Sequence, residues 1–204
     1  GKITGEVKVP VGTTDFTTYI QRIRELKPPY VFMFMPVGPM SAGFIKAFAE
    51  SGLEKSGSVL LAGAETNEPD LPAIGDQALG LVSALHYGPS LDSPRNKAFV
   101  TAYKAKFGND AVPSFASVAA YDGTKLVFEM IKATNGIQDG DKAMAAVKGY
   151  KWDSPRGPVS IDPKTREIVQ NFYLRKVEKI GGQLLNKEFQ TFPAVKDPWH
   201  ELNP

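Results

Sequence analysis

Three short apolar runs restrict this chain to few folds: YVFMFM (Tyr30–Met35), SVLLAG (Ser58–Gly63) and LVSALHY (Leu81–Tyr87). YVFMFM is unbroken by polar residues, the mark of a strand buried on both faces of a parallel sheet, and the other two read as the strands that follow it. The segments between them have another rhythm. SAGFIKAFAESGL reads as a helix with Phe44, Ile45 and Phe48 inward and Gly52 at its C-terminal end. DLPAIGDQALG reads as a short helix or turn. Strand, helix, strand, helix, strand is the alternation of an open parallel sheet with right-handed crossovers. Ahead of it, Asp15 or a neighbouring Thr can cap a helix. Phe16, Tyr19, Ile20, Ile23 and Leu26 make its apolar stripe, and Pro28 and Pro29 stop it.

The two ends of the chain have a different character. GKITGEVKVP opens with a turn and then a strand over Ile3–Val9, as if a preceding helix had been cut away. After GPSLDSPRN come three helical segments. The first carries Phe99, Tyr103 and Phe107 on one side, and the second carries Leu126, Val127, Met130 and Ile131. The third is DGDKAMAAVKGY. No strand pattern interrupts them, so they are expected to pack on strands that this chain does not supply. Both features make the chain read as a fragment. The tail alternates again, with a turn at Pro163–Lys164 and a hairpin signal at Gly181–Gly182. PAVKDPWHELNP is expected to be a terminal coil.

Composition narrows the function. Lys and Arg total 24 against 22 acidic residues, a formal charge of +2, so the broad positive field of a nucleic-acid binder is not expected. There is no cysteine, which removes disulfides and thiolate chemistry. His86 and His200 are far apart in sequence and make a poor metal pair. No G-x-S-x-G elbow, P-loop or dinucleotide glycine pattern occurs. The reading is of a protein that is not an enzyme and needs no cofactor.

The residues worth weighing lie just past the strands. VLLAGAETNEPD delivers Glu65 beyond the end of an apolar strand; it is either a solvated loop acid or a ligand contact. Open α/β sheets bind ligands beyond the carboxyl ends of their strands. The loop PVGPM occupies the same sheet edge. Phe32, Met33, Phe34 and Met35 read as core. Asp122 reads first as a solvated or capping acid. Asp153, Arg156, Asp162 and Arg166 read as a salt-laced surface hairpin, and Trp152 as a packing anchor.

GEVKVPVGTTDFTTYIQRIRELKPPYVFMFMPVG, ASVAAYDGTKLVFEMIKATNG and WDSPRGPVSIDPKTREIVQNFYLRKVEKIGG together resemble the periplasmic solute-binding proteins of ABC transporters, of the branched-chain amino acid type. The resemblance runs over essentially the whole chain. It implies an α/β, type I periplasmic binding protein fold, with two-lobed parallel sheets and flanking helices, of which this is the C-terminal portion. Residues 1–88 would be second-lobe, 89–168 the first-lobe helical portion, and 169–204 the crossover back with a terminal coil. It further implies a receptor that closes hinged lobes over a small solute and delivers it to a membrane permease from the periplasm. In such proteins an acid at the place of Glu65 faces the ligand ammonium, and an aromatic at or next to Phe115 packs on the ligand side chain. For Phe115, simple core packing is the alternative. Where amino-acid binders often carry a ligand-contacting tyrosine, this chain has Val37, then Gly38 and Pro39. That departure leaves room for amides or aromatic carboxylates as well as amino acids. A ligand-sensing domain of a regulator with the same fold is the alternative function.

Overall fold

The computed structural model describes residues 1–136 and 138–203, without the side chains of His200 and Glu201. His200, weighed above as a metal partner, thus lies outside the described side chains. The chain forms two compact units. Unit 1 takes Gly1–Leu85 and Leu174–Phe189; unit 2 takes His86–Tyr173 and the chain from Gln190 onward.

In unit 1 the elements are α1 (Thr17–Leu26), β1 (Tyr30–Phe32), α2 (Pro39–Glu50), β2 (Val59–Ala62), α3 (Leu71–Ile74) and β3 (Val82–Leu85). The three strands are parallel, with Tyr30 opposite Val59 and Leu61 opposite Val82. In unit 2, α4 (Pro94–Phe107), α5 (Phe115–Thr134) and α6 (Gly140–Val147) precede an antiparallel pair, β4 (Lys151–Ser154) and β5 (Gly157–Ile161). Two long strands, β6 (Ile168–Ile180) and β7 (Gln183–Val195), run through both units. In unit 2, β6 pairs with β5; in unit 1, Val177 of β6 exchanges backbone hydrogen bonds with Gly80 and Leu81 at the start of β3. Gly181 and Gly182, at φ 57° and 83°, make the tight turn that a two-residue hairpin demands.

The core of unit 1 sits between the sheet and α1 and α2. Ile45, Phe48, Leu60, Leu71 and Ile74 are each exposed by 1% or less. Burial of each such side chain stabilises the fold by about 1.5–3 kcal/mol. Phe16, just before α1, meets Phe44 of α2 edge-on at 5.5 Å. A Cβ at position 43 would lie 3.1 Å from the Phe16 ring, so glycine permits this close approach. Lys27 ends α1 in the left-handed conformation, with Pro28 and Pro29 behind it. The helices of unit 2 start on side-chain caps: Ser93 accepts from the Asn96 N–H, Ser114 and Ser117 form a capping box, and Asp139 accepts from the Lys142 N–H.

Three expectations are corrected. Ile3–Val9 is not a strand; these residues lack a ladder partner and are mostly exposed. YVFMFM is not buried on both faces. Its strand is only Tyr30–Phe32, at the edge of the unit 1 order, and Tyr30, Phe32 and Phe34 are exposed by 64, 70 and 88% while Met33 is buried. Cover lies on one face alone, whereas the residues are apolar on both. The terminal segment is not coil throughout: β7 continues to Val195 and a short helix, α7, spans Trp199–Leu202.

Candidate functional site

The carboxyl ends of β1 and β2 hold four of the candidate residues. After β1 the chain passes through Val37 and Gly38 into α2, with Pro39 at its first position, where a missing N–H costs nothing. Gly38 takes φ 108°, which side chains rarely adopt, so the loop requires glycine here. The Gly38 carbonyl accepts from the Ser41 hydroxyl and the Ala42 N–H, both at 3.0 Å. Val37 is 41% exposed, and Pro39 is exposed beside it. The result is a small, apolar, backbone-rigid lip at the start of a helix.

Glu65 stands in a 3-10 turn, Ala64–Thr66, immediately after β2. It is fully buried, so the solvated-acid reading is excluded. One carboxylate oxygen accepts the Met35 N–H at 2.9 Å and the other accepts the Gly63 N–H at 2.7 Å. Charge-assisted bonds of this kind are the strong ones. Glu65 therefore ties the end of β2 to the segment that leads from β1 to Val37. Fixing that loop is the role the structure gives it.

A second buried charge group lies next to this turn, and no sequence pattern announced it. Arg175 of β6 and Glu68 are both buried, 3.7 Å apart. The Arg175 guanidinium also donates to the Ser83 hydroxyl at 3.0 Å and the Gly63 carbonyl at 3.3 Å. The Asn186 amide of β7 donates to Glu68 at 2.7 Å and to the Thr66 carbonyl at 2.6 Å. Burial pushes the Glu68 carboxyl upward, opposed by the Arg175 charge, and burial likewise lowers the Arg175 guanidinium. The network fastens the loop after Glu65 to the long hairpin.

Phe115 belongs to unit 2. It is the first residue of α5, half-buried against the cluster of Tyr87, Leu91, Val118 and Tyr173. Its ring stands edge-on to His86 at 6.2 Å, and Phe172 of β6 meets the same imidazole at 6.3 Å. The aromatic company of His86 was not foreseen in the sequence.

Farther along α5, Asp122 is corrected from a solvated acid to a buried one. It accepts from the Trp152 indole at 2.9 Å, the Ser154 hydroxyl at 2.7 Å and the Arg156 guanidinium at 2.8 Å. Arg156, read as a surface charge, is buried as well. It donates to Gln170 at 2.7 Å, and its carbonyl accepts from the Tyr173 hydroxyl at 2.6 Å. Burial lowers the Arg156 guanidinium against the opposing Asp122 charge. Trp152 is 8% exposed and packs with Val159 and Ile161, as an anchor should.

The profile of the periplasmic binding proteins matches residues 1–183. The chain belongs to that family. Within it, a Leu/Ile/Val-binding protein homolog of Brucella melitensis is 48% identical over 200 residues, covering 97% of this chain and 51% of its own length. A solute binding protein of an ABC transporter from Rhodopseudomonas palustris HaA2, solved in complex with p-hydroxybenzoic acid, is 48% identical with a TM-score of 0.90. That match covers 96% of this chain and 54% of the other. A counterpart from Rhodopseudomonas palustris BisB5, in complex with 3,4-dihydroxybenzoic acid, is 49% identical with a TM-score of 0.86, covering 95% and 53%. The chain thus spans about half the length of the relatives it matches. The type I periplasmic binding protein fold expected from the sequence is the fold of these relatives.

Proposed function

We propose that the protein is an extracytoplasmic solute receptor of an ABC importer and that its solute is an aromatic carboxylate of the hydroxybenzoate kind. One observation carries the choice of solute. Both oxygens of Glu65 are engaged by backbone N–H groups, and the side chain has no exposed surface. An amino-acid receptor needs a carboxylate facing the ligand ammonium, because a buried cation requires a charged partner. An aromatic acid has no ammonium, and an exposed carboxylate would repel it. A Glu65 used as an internal clasp suits the aromatic acid.

Two further points support this reading. Val37 replaces the tyrosine expected of amino-acid binders and leaves an apolar lip with Gly38 and Pro39 suited to a ring. Relatives 48 and 49% identical were solved with hydroxylated benzoic acids. In this proposal Val37, Gly38 and Pro39 contact the solute and Glu65 holds their loop. The partner that accepts the solute is a membrane permease.

The amino-acid reading is favoured by the name of the Brucella relative. Calorimetry separates the two when the protein, extended to the length of its relatives, is titrated with 4-hydroxybenzoate and with leucine. Binding of the aromatic acid alone supports the proposal. Binding of leucine that Glu65→Ala abolishes supports the other.

A further inference from the structure

Arg175, in β6, carries a charge and has no exposed surface. Stability alone does not explain a charge at this place, because a buried ion pair replaced by apolar residues of like volume is often as stable or more so. What the guanidinium adds is direction, since its planar fork holds several acceptors at fixed angles. Besides Glu68 at 3.7 Å, it reaches the Ser83 hydroxyl at 3.0 Å and the Gly63 carbonyl at 3.3 Å. Gly63 is thereby gripped from both sides, for its N–H donates to one oxygen of Glu65 at 2.7 Å. The other oxygen of Glu65 accepts the Met35 N–H at 2.9 Å, two residues before Val37. One line of bonds thus runs from Arg175 through Gly63 and Glu65 to Met35, and all four residues belong to unit 1. Its near end is anchored too, because Asn186 donates to Glu68 at 2.7 Å and to the Thr66 carbonyl at 2.6 Å.

We infer that Arg175 is a positioning residue for the solute: without touching it, the guanidinium holds Gly63 and, through Glu65 and Met35, sets the lip of Val37, Gly38 and Pro39 in the shape that receives the ring. This role rests on the reading that the lip contacts the solute. The side chains of Val37, Gly38 and Pro39 have no hydrogen-bonding group, so the course of the chain into the lip must be fixed from outside it. The Met35 bond to Glu65 does this, and Arg175 fixes the peptide on which Glu65 itself leans. A loop that takes several shapes binds more weakly, in proportion to the share of time spent in the competent one. Holding it in that shape beforehand lowers the ordering cost of binding.

The test separates stability from affinity in the protein extended to the length of its relatives. Arg175→Met alone leaves the Glu68 charge buried and is expected to be strongly destabilised. The double variant Arg175→Met with Glu68→Gln removes both charges and keeps an acceptor for Asn186, so urea unfolding should show most of the stability regained. Calorimetry with 4-hydroxybenzoate should nevertheless find the double variant about tenfold weaker than wild type, as for a lip that is competent about a tenth of the time. Hydrogen exchange by NMR reads the loop directly. The Met35 and Gly63 amides should exchange faster in the double variant, while the Met33 amide, bonded to the Leu61 carbonyl at 3.0 Å, keeps its rate. Affinity that returns together with stability, or Met35 and Gly63 rates equal to wild type, overturns the positioning role. Wild type that binds no 4-hydroxybenzoate overturns the solute reading instead, and the exchange rates then decide by themselves whether Arg175 holds the loop.

Discussion

Glu65 accepts the backbone N–H of Met35 at 2.9 Å, thirty residues away in sequence, and so couples the end of one parallel strand to the loop after its neighbour. Removing the carboxylate leaves the N–H groups of Met35 and Gly63 without their acceptor. An unsatisfied buried group costs about 1–3 kcal/mol. Glu65→Ala is expected to lower stability by roughly 2–4 kcal/mol on that scale. Glu65→Gln should lose about half as much, because its amide oxygen still serves one N–H. Urea unfolding of the two variants measures the difference, and equal losses would show that the clasp is not what the side chain contributes.

Asp122 and Arg156 form a buried pair at 2.8 Å, with Trp152 and Ser154 sharing the carboxylate. Breaking such a pair from one side leaves an uncompensated charge, at a cost of about 3–5 kcal/mol. Asp122→Ala should fall in that range. The double replacement Asp122→Leu with Arg156→Met should cost less than the sum of its single changes. Chemical denaturation of the four-member cycle checks this. Additive losses would mean that the two charges do not depend on each other.

Asp162 gives a pH signature. The Lys164 N–H, the Lys196 ammonium and the Thr165 N–H hold its carboxyl down at about 2. An unfolded aspartate titrates near about 3.9. Because the folded value is the lower one, the contribution is present above the unfolded value and disappears as pH falls toward the folded one. The stability difference between wild type and Asp162→Asn should be level above pH of about 5 and shrink between about 4 and 2. Thermal melts across that range, at constant ionic strength, test it. A difference that grows on acidification would contradict the assignment.

Tyr30 and Phe32 of β1 and Phe34 just beyond it are exposed, and Val59 stands opposite Tyr30 on the next strand. Contiguous apolar surface of this kind drives association. The 204-residue chain on its own is expected to self-associate at micromolar concentration and to bind a hydrophobic dye. Phe32→Ser with Phe34→Ser should reduce both with little loss of stability, since neither ring is buried. Sedimentation velocity gives the answer; a monomeric wild-type chain with no dye uptake would exclude the patch as a driver.

Much of unit 1 was legible because its signals are periodic. Phe44, Ile45 and Phe48 are spaced by three and four, and they face the core of α2. Gly181–Gly182 specified its turn locally. What could not be read is non-periodic and long-range. Glu65 was found by position, but nothing in GAET says that Met35 and Gly63 would occupy its oxygens. Asp122 meets Arg156 across 34 residues, and Arg156 sits among Asp153, Asp162 and Arg166, a pattern that looks like a solvated hairpin. Glu68 and Arg175 are farther apart still. The residues of YVFMFM misled for another reason: an apolar run records which faces are suited to burial, not which are covered.

The measurement that bears most directly on the account is calorimetric titration of the protein, extended to the length of its relatives, with 4-hydroxybenzoate and leucine side by side. The account predicts saturable one-to-one binding of 4-hydroxybenzoate and no heat from leucine. Binding of leucine with no response to the aromatic acid would contradict it.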